Sequence, residues 1–261
     1  MSRLAVVSDI HANRVAFEAV LRNIDRRRVD AVLCLGDIVG YGPEPSECIA
    51  LVRRHCRVSV RGNHEDALLE PAALAGFNGV ARAAIAYQRR VVSAEEMTFL
   101  RALPASFTIE RTLHAVHDSP VPSERTGGYL RSTADAAIAF RGVEEPICLV
   151  GHTHVPRFFL TSAGGAGEAV HDTQVSLFAP DIASNGFCDA FELVEGDRAI
   201  VNPGSVGQPR DGDARASYAV LDLARGLVEY HRVAYDIDEA ARRTQAVGLP
   251  SHLAERLAVG A

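Results

Sequence analysis

Short apolar runs alternate with amphipathic stretches through the first sixty residues. Leu4-Ala-Val-Val7 predicts a buried strand, after which Val15, Ala19, Val20 and Ile24 recur at helical spacing. Ala31-Val-Leu-Cys-Leu35 repeats the strand, Glu47 to Arg54 the helix, and Arg57-Val-Ser-Val60 predicts a third strand. Strands apolar at successive positions need cover on both faces, so the pattern is that of βαβ units in an α/β fold. Pro71 to Leu103 is Ala-rich and helical, a cap or flank beside the strands. Ser106 to Val116 predicts a hairpin ending at His117, Ala134 to Phe140 a short helix, and Ile147-Cys-Leu-Val150 a strand. Residues 161–190, rich in Gly, Ser, Asp and Asn with weak periodicity, are expected to form a loop insertion. Phe191 to Val201 predicts a hairpin turning at Gly196-Asp197, and Tyr218 to Leu223 with Val228 to Val233 predicts another. Asp236 to Ala261 reads as a helical tail, and residues 1–261 as one domain without internal repeats.

Composition narrows the function classes. A net charge of -6 argues against a general nucleic-acid or membrane-surface binder. No apolar run approaches the roughly 18 residues of a spanning helix, and Met1-Ser-Arg-Leu4 leads into a strand rather than a signal peptide. The five cysteines are scattered without a CxxC pair. Cys34 and Cys148 fall inside apolar runs, which predicts buried free thiols and a reducing, cytoplasmic setting.

The candidate chemistry lies at the ends of the apolar runs. Asp9 and His11 form one pair at i and i+2, and His152 and His154 form another. In extended backbone such pairs project to the same side, so each predicts a two-pronged fork. Between them come Asp37, Asn63, His64 and His117, with Asp9, Asp37 and Asn63 each just beyond a strand. Ligands gather beyond the carboxyl ends of strands in such sheets. Every strong ligand in this set is N or O, which favours first-row divalent ions over a thiolate structural site. The set exceeds the four ligands of one closed site, and two ions sharing a carboxylate account for the excess. Paired ions suit phosphoester hydrolysis, because they clamp phosphate oxygens and lower the pKa of water between them. His114 competes with His117, while His55, His171, His231 and His252 have no motif context and read as solvent-facing or packing residues.

Asp9-x-His11, Gly36-Asp37, Gly62-Asn63-His64-Glu65, His117 and Gly151-His152-Thr153-His154, in this order, resemble the calcineurin-like metallophosphoesterase superfamily. Gly36-Asp-Ile-Val-Gly-Tyr-Gly-Pro43 and Asn202-Pro-Gly-Ser-Val-Gly-Gln-Pro-Arg210 are similar to its small bacterial and archaeal phosphodiesterase branch, and the likeness covers nearly the whole chain. The resemblance implies two facing mixed β-sheets flanked by helices. It implies two divalent ions per chain, drawn from Mn, Fe, Zn, Ni or Co. Asp9, His11 and His154 would hold the first ion, Asn63, His117 and His152 the second, with Asp37 bridging. A hydroxide between the ions would attack phosphorus, and His64 would assist the leaving group. Arg61 matches an arginine that grips phosphate in the protein Ser/Thr phosphatase branch.

The implied activity is hydrolysis of a small-molecule phosphoester or nucleotide, most directly by a phosphodiesterase. A protein or nucleotide phosphomonoesterase, and a non-catalytic metal-binding scaffold on the same fold, are the alternatives. One departure from the family pattern stands out. His117-Asp118-Ser-Pro120 carries Asp118 where the family has Gly, which predicts either strained backbone or a left-handed position that Asp tolerates.

Overall fold

In the computed structural model, which describes residues 2–121, 127–161, 175–180 and 189–261, the first strand buries both of its faces. Within β1 (Arg3–Val7), Ala5 and Val7 join a core on one side while Leu4 and Val6 join a core on the other. The same period-two split recurs in β2 (Ala31–Cys34), where Val32 and Cys34 oppose Ala31 and Leu33. Runs without a polar face therefore become interior strands.

Two six-stranded mixed sheets result. In the first, β3 (Cys56–Ser59), β2 and β1 run parallel. Antiparallel β11 (Ala216–Asp222), β12 (Leu227–Val233) and β9 (Ala190–Glu192) follow in that order. The second sheet has the order β4 (Ser106–Ile109), β5 (Leu113–Val116), β6 (Ile147–Leu149), β10 (Arg198–Asn202), β7 (Arg157–Thr161) and β8 (Val175–Phe178). Its three central neighbours β5, β6 and β10 are mutually parallel.

Leu4, Val6, Leu33, Leu149, Phe158, Val201 and Tyr230 fill the space between the sheets. On the outer face of the first sheet lie α1 (Arg14–Ile24), α2 (Pro45–His55), α3 (Asn63–Leu69), α4 (Gly79–Val91) and α5 (Ala94–Ala102), whose apolar sides share one core. Against the second sheet packs α6 (Thr133–Ala139), through Ala136, Ala137 and Phe140 onto Cys148, Val150, Phe159 and Ile200. The tail forms α7 (Ile237–Ala246) and α8 (Ser251–Glu255). This is the helix–sheet–sheet–helix arrangement expected from the sequence. No described helix is long and apolar enough to cross a membrane.

Two local expectations are corrected. Phe191 to Val201 is not a hairpin, because β9 pairs with β12 in the first sheet while β10 lies inside the second. Ala199, Ile200 and Val201 are all fully buried, so β10 needs cover on both faces, which an edge hairpin cannot supply. Part of the expected loop at residues 161–190 is strand: Thr161 ends β7, and Val175–Phe178 pairs with it as β8. Most of the remainder of that stretch lies outside the described residues.

Candidate metal centre

The C-terminal ends of all six parallel-paired strands converge on one place. After β1 come Asp9 and His11, after β2 Asp37, and after β3 Asn63 and His64 at the start of α3. The second sheet delivers His117 after β5 and His152 and His154 after β6. The turn after β10 lies against both, since Ser205 Oγ donates to the Asp9 carbonyl at 2.8 Å and the Gln208 carbonyl accepts from His154 Nδ1 at 2.6 Å.

The donor atoms fall into two groups that meet at one residue. Asp9, His11, Asp37 and His154 bring ligand atoms within 4.8 Å of one another, as do Asp37, His117 and His152. Asp37 Oδ1 accepts from the backbone N–H of His64 at 2.9 Å. Its Oδ2 lies 3.7 Å from His11 Nε2 and 3.2 Å from His117 Nε2, between the two groups. Asn63 Oδ1 stands 3.2 Å from His117 Nε2. The sequence therefore named residues that the fold brings together, with Asp37 central. His114 is elsewhere, beside the Thr108 hydroxyl on the neighbouring strand.

Hydrogen bonding fixes the tautomers, and they are those that metal ligands need. His11 Nδ1 lies 2.9 Å from the Val39 carbonyl, His117 Nδ1 2.7 Å from that of Leu35, and His154 Nδ1 2.6 Å from that of Gln208. A carbonyl can only accept, so each Nδ1 carries a proton and each Nε2 turns inward, as a lone pair wherever the ring is neutral. The Nε2 atoms of His11 and His154 are then two lone pairs 3.0 Å apart, with buried Asp9 Oδ1 3.3 Å from the latter and lacking any hydrogen-bond donor. Such a cluster of acceptors repels itself unless a cation sits among them. Asp9 and Asp37 are buried carboxylates, and burying charge without a counter-ion is costly. By its own chemistry, the donor set fits divalent ions.

The imidazoles differ in charge. Burial holds His11 and His154 well below the usual histidine range, and lowers His152 to about 3 and His64 to about 4. Burial also works against charge on His117, but the Asp37 carboxylate, as charge and hydrogen-bond partner, and the Asp9 charge outweigh it and raise His117 to about 10. Burial raises Asp9 to about 6, with Asp37 adding to it against the opposing charge of His117.

The forks do not have the expected backbone. Asp9, His11, Ala12, Asp37, His152 and His154 all have φ between +48° and +65°, the left-handed region and not an extended strand. Non-glycine residues seldom adopt it, though Asp and His do so more readily than most, and such conformations concentrate at functional sites. Asp118, by contrast, is not among the left-handed residues and is exposed, so replacing the family's glycine brings no backbone strain there.

Other participants carry little signal in the sequence. Buried Glu65 accepts from the backbone N–H groups of Asp37 at 2.8 Å, Val39 at 3.0 Å and Gly62 at 2.8 Å, fastening the loops that carry Asp37 and Asn63 together. Fully buried Gln88 reaches in from α4, accepting from Gly40 N–H and donating to the Gly42 carbonyl. Gly40 has φ +89°, and a Cβ there would stand 2.0 Å from His64 Nδ1, so only glycine leaves room for that ring.

An open cleft of about 120 Å³ lies over the cluster. Asp37, Asn63, His64, His152 and His154 line it, with Tyr41, Phe77, Tyr129 and Arg210 around them. Arg61 is not part of the lining. Its Nε pairs with Asp66 at 2.7 Å and its Nη1 donates to the Arg101 carbonyl at 3.2 Å.

The family model of the calcineurin-like phosphoesterase superfamily domain matches residues 2–226. An uncharacterized protein of Methanocaldococcus jannaschii is 34% identical over 264 aligned residues, covering 99% of this chain and 98% of that one. The crystal structure of a metallophosphoesterase from Sphaerobacter thermophilus is 40% identical with a TM-score of 0.82, covering 100% of this chain and 99% of that one. A hypothetical protein from Pyrococcus horikoshii shares the fold at 20% identity and a TM-score of 0.75, covering 100% and 99%.

Proposed function

The chain belongs to the calcineurin-like phosphoesterase superfamily, and we propose that this phosphoester hydrolase is a phosphodiesterase acting on a small-molecule or nucleotide substrate. The cleft wall carries the reading. Tyr41, Phe77 and Tyr129 give it neutral aromatic sides, and Arg210 is the one arginine among its lining residues. Neutral walls suit a phosphate that bears two organic substituents and a single negative charge. The dianion of a monoester calls for more cations, and Arg61, the residue that spoke for a monoesterase, faces elsewhere.

Asp9, His11, His154 and Asp37 would hold one ion, and Asp37, Asn63, His117 and His152 a second. Paired divalent ions, when bound, act as Lewis acids on the phosphoryl group and activate water for attack. The protein's own part is to orient. The Val39, Leu35 and Gln208 carbonyls hold three imidazoles with Nε2 inward, and the His64 N–H sets the carboxylate plane of Asp37. His64 lines the cleft with its ring between Tyr41 and Phe77 and Nδ1 buried toward Gly40. Its depressed pKa makes it a neutral imidazole, which stabilises charge developing on the leaving oxygen by hydrogen bonding more readily than it supplies a proton outright.

Steady-state kinetics of the metal-loaded protein on bis-p-nitrophenyl phosphate and p-nitrophenyl phosphate test this reading. The diester is expected to have the larger kcat/KM. Hydrolysis of the monoester alone would overturn the phosphodiesterase assignment.

A further inference from the structure

Two arginines are candidates to bind an anion at this site, and the fold sends them in opposite directions. Arg61 precedes the Gly-Asn-His-Glu segment, yet its guanidinium pairs with Asp66 and the Arg101 carbonyl. That pair is partly exposed and weak. Direction matters more than strength here, since the side chain does not line the cleft.

Arg210 does line it, and the surrounding charges explain why. Asp211 and Asp213 follow it in the same turn, but Asp211 pairs with Arg232, while Asp213 pairs with Arg215 at 2.6 Å. No carboxylate among the described residues pairs with Arg210. Its Nη2 donates to Gln208 Oε1 at 2.8 Å, and its buried Nε has no partner. The guanidinium carbon lies 5.5 Å from the centroid of the Tyr41 ring. Its main chain is tied to the metal cluster as well, because Arg210 N–H donates to the His154 carbonyl at 3.2 Å. A planar cation thus stands at the cleft, fixed against an aromatic ring and a loop that positions a ligand, with N–H donors unspent. That is the equipment for gripping an oxyanion.

We propose that Arg210, steadied by Gln208 and Tyr41, binds a non-bridging oxygen of the substrate phosphate, the task that the sequence motif would give to Arg61. The proposal rests on the cleft being the phosphoester site. It makes the turn after β10 part of the substrate-binding surface as well as a support for Asp9 and His154.

The test compares the wild-type chain with Arg210→Gln, Arg210→Lys and Arg61→Ala, each loaded with Mn(II). Metal content and melting temperature are measured first, then inorganic phosphate binding by calorimetry and KM for bis-p-nitrophenyl phosphate. Loss of a charged, two-pronged donor is expected to weaken phosphate binding and raise KM about tenfold or more in Arg210→Gln, with metal content unchanged. Arg210→Lys should recover part of the loss, because it restores the charge without the fork. Arg61→Ala should stay within about twofold of wild type. Wild-type phosphate affinity in both Arg210 variants, or a larger loss in Arg61→Ala, would overturn the proposal. Wild-type protein that holds metal yet neither binds phosphate nor hydrolyses the ester would sink the underlying reading of the site, and this proposal with it.

Discussion

At Asp37 the two oxygens of one carboxylate have different tasks: Oδ1 receives the His64 N–H, and Oδ2 faces both groups of imidazoles. The resemblance implied Asp37 as a bridge, but not this division between its oxygens. The candidate residues and their order could be read because side-chain chemistry is local. The left-handed backbone of Asp9, His11, His152 and His154 could not, since it is imposed by what the loops must reach. Arg210 escaped for a similar reason, because nothing in the sequence says that Asp211 and Asp213 are engaged by other arginines. At this scale His64 gives the sharpest prediction. His64→Ala should retain metal, as judged by metal analysis, while kcat on the preferred ester falls roughly 100-fold or more. Unchanged turnover would remove His64 from the chemistry.

Among the elements, the interior strands β1 and β2 were legible as unbroken apolar runs, and α1 by its helical period. Pairing was not. Phe191 to Val201 has a hairpin's alternation and turn, yet its two strands enter different sheets, because burial of β10 on both faces outweighs a local turn. The role of α4 was also invisible: it supports the site through one buried amide. Gln88→Ala would leave the Gly40 N–H and the Gly42 carbonyl without partners, at about 1–3 kcal/mol for each buried group. A lower melting temperature is expected, together with lower kcat, since Gly40 abuts His64. A variant that lost stability but kept full turnover would show that Gln88 serves the fold alone.

For the molecule as a whole, the site is a joint between two sheets, and its charges link metal binding to pH. His117 is raised to about 10 by its carboxylate neighbours, so in the ion-free protein its Nε2 holds a proton that a metal must displace. At pH 8 uptake should release about one proton per chain, and apparent affinity should rise about tenfold per pH unit between roughly pH 7 and 9. Asp9, raised to about 6, adds a second proton below that pH. Calorimetry in buffers of different ionisation enthalpy counts these protons, and no release at pH 8 would contradict the charge state given to His117. The sign for ion-free stability follows from the same shift. The contribution of His117 is fully present below about pH 6.5 and is lost as pH rises through about 10.

The pairing of β1 with β11 sets a timetable for synthesis. Arg3 is registered with Asp222, and the Asp9 and His154 loops lean on Ser205 and Gln208. At ~5–20 residues per second, roughly 10 to 45 s of synthesis separate the first strand from β11, although its parallel neighbour β2 follows it closely. Through that interval Leu4, Ala5, Val6 and Val7 have no finished core to enter, and Asp9 and His11 wait for His154 before their group is complete. The site therefore closes late, once the turn that carries Ser205 and Gln208 has been made. Until β11 arrives, the edge of β1 that it will cover stays open to whatever pairs with such strands.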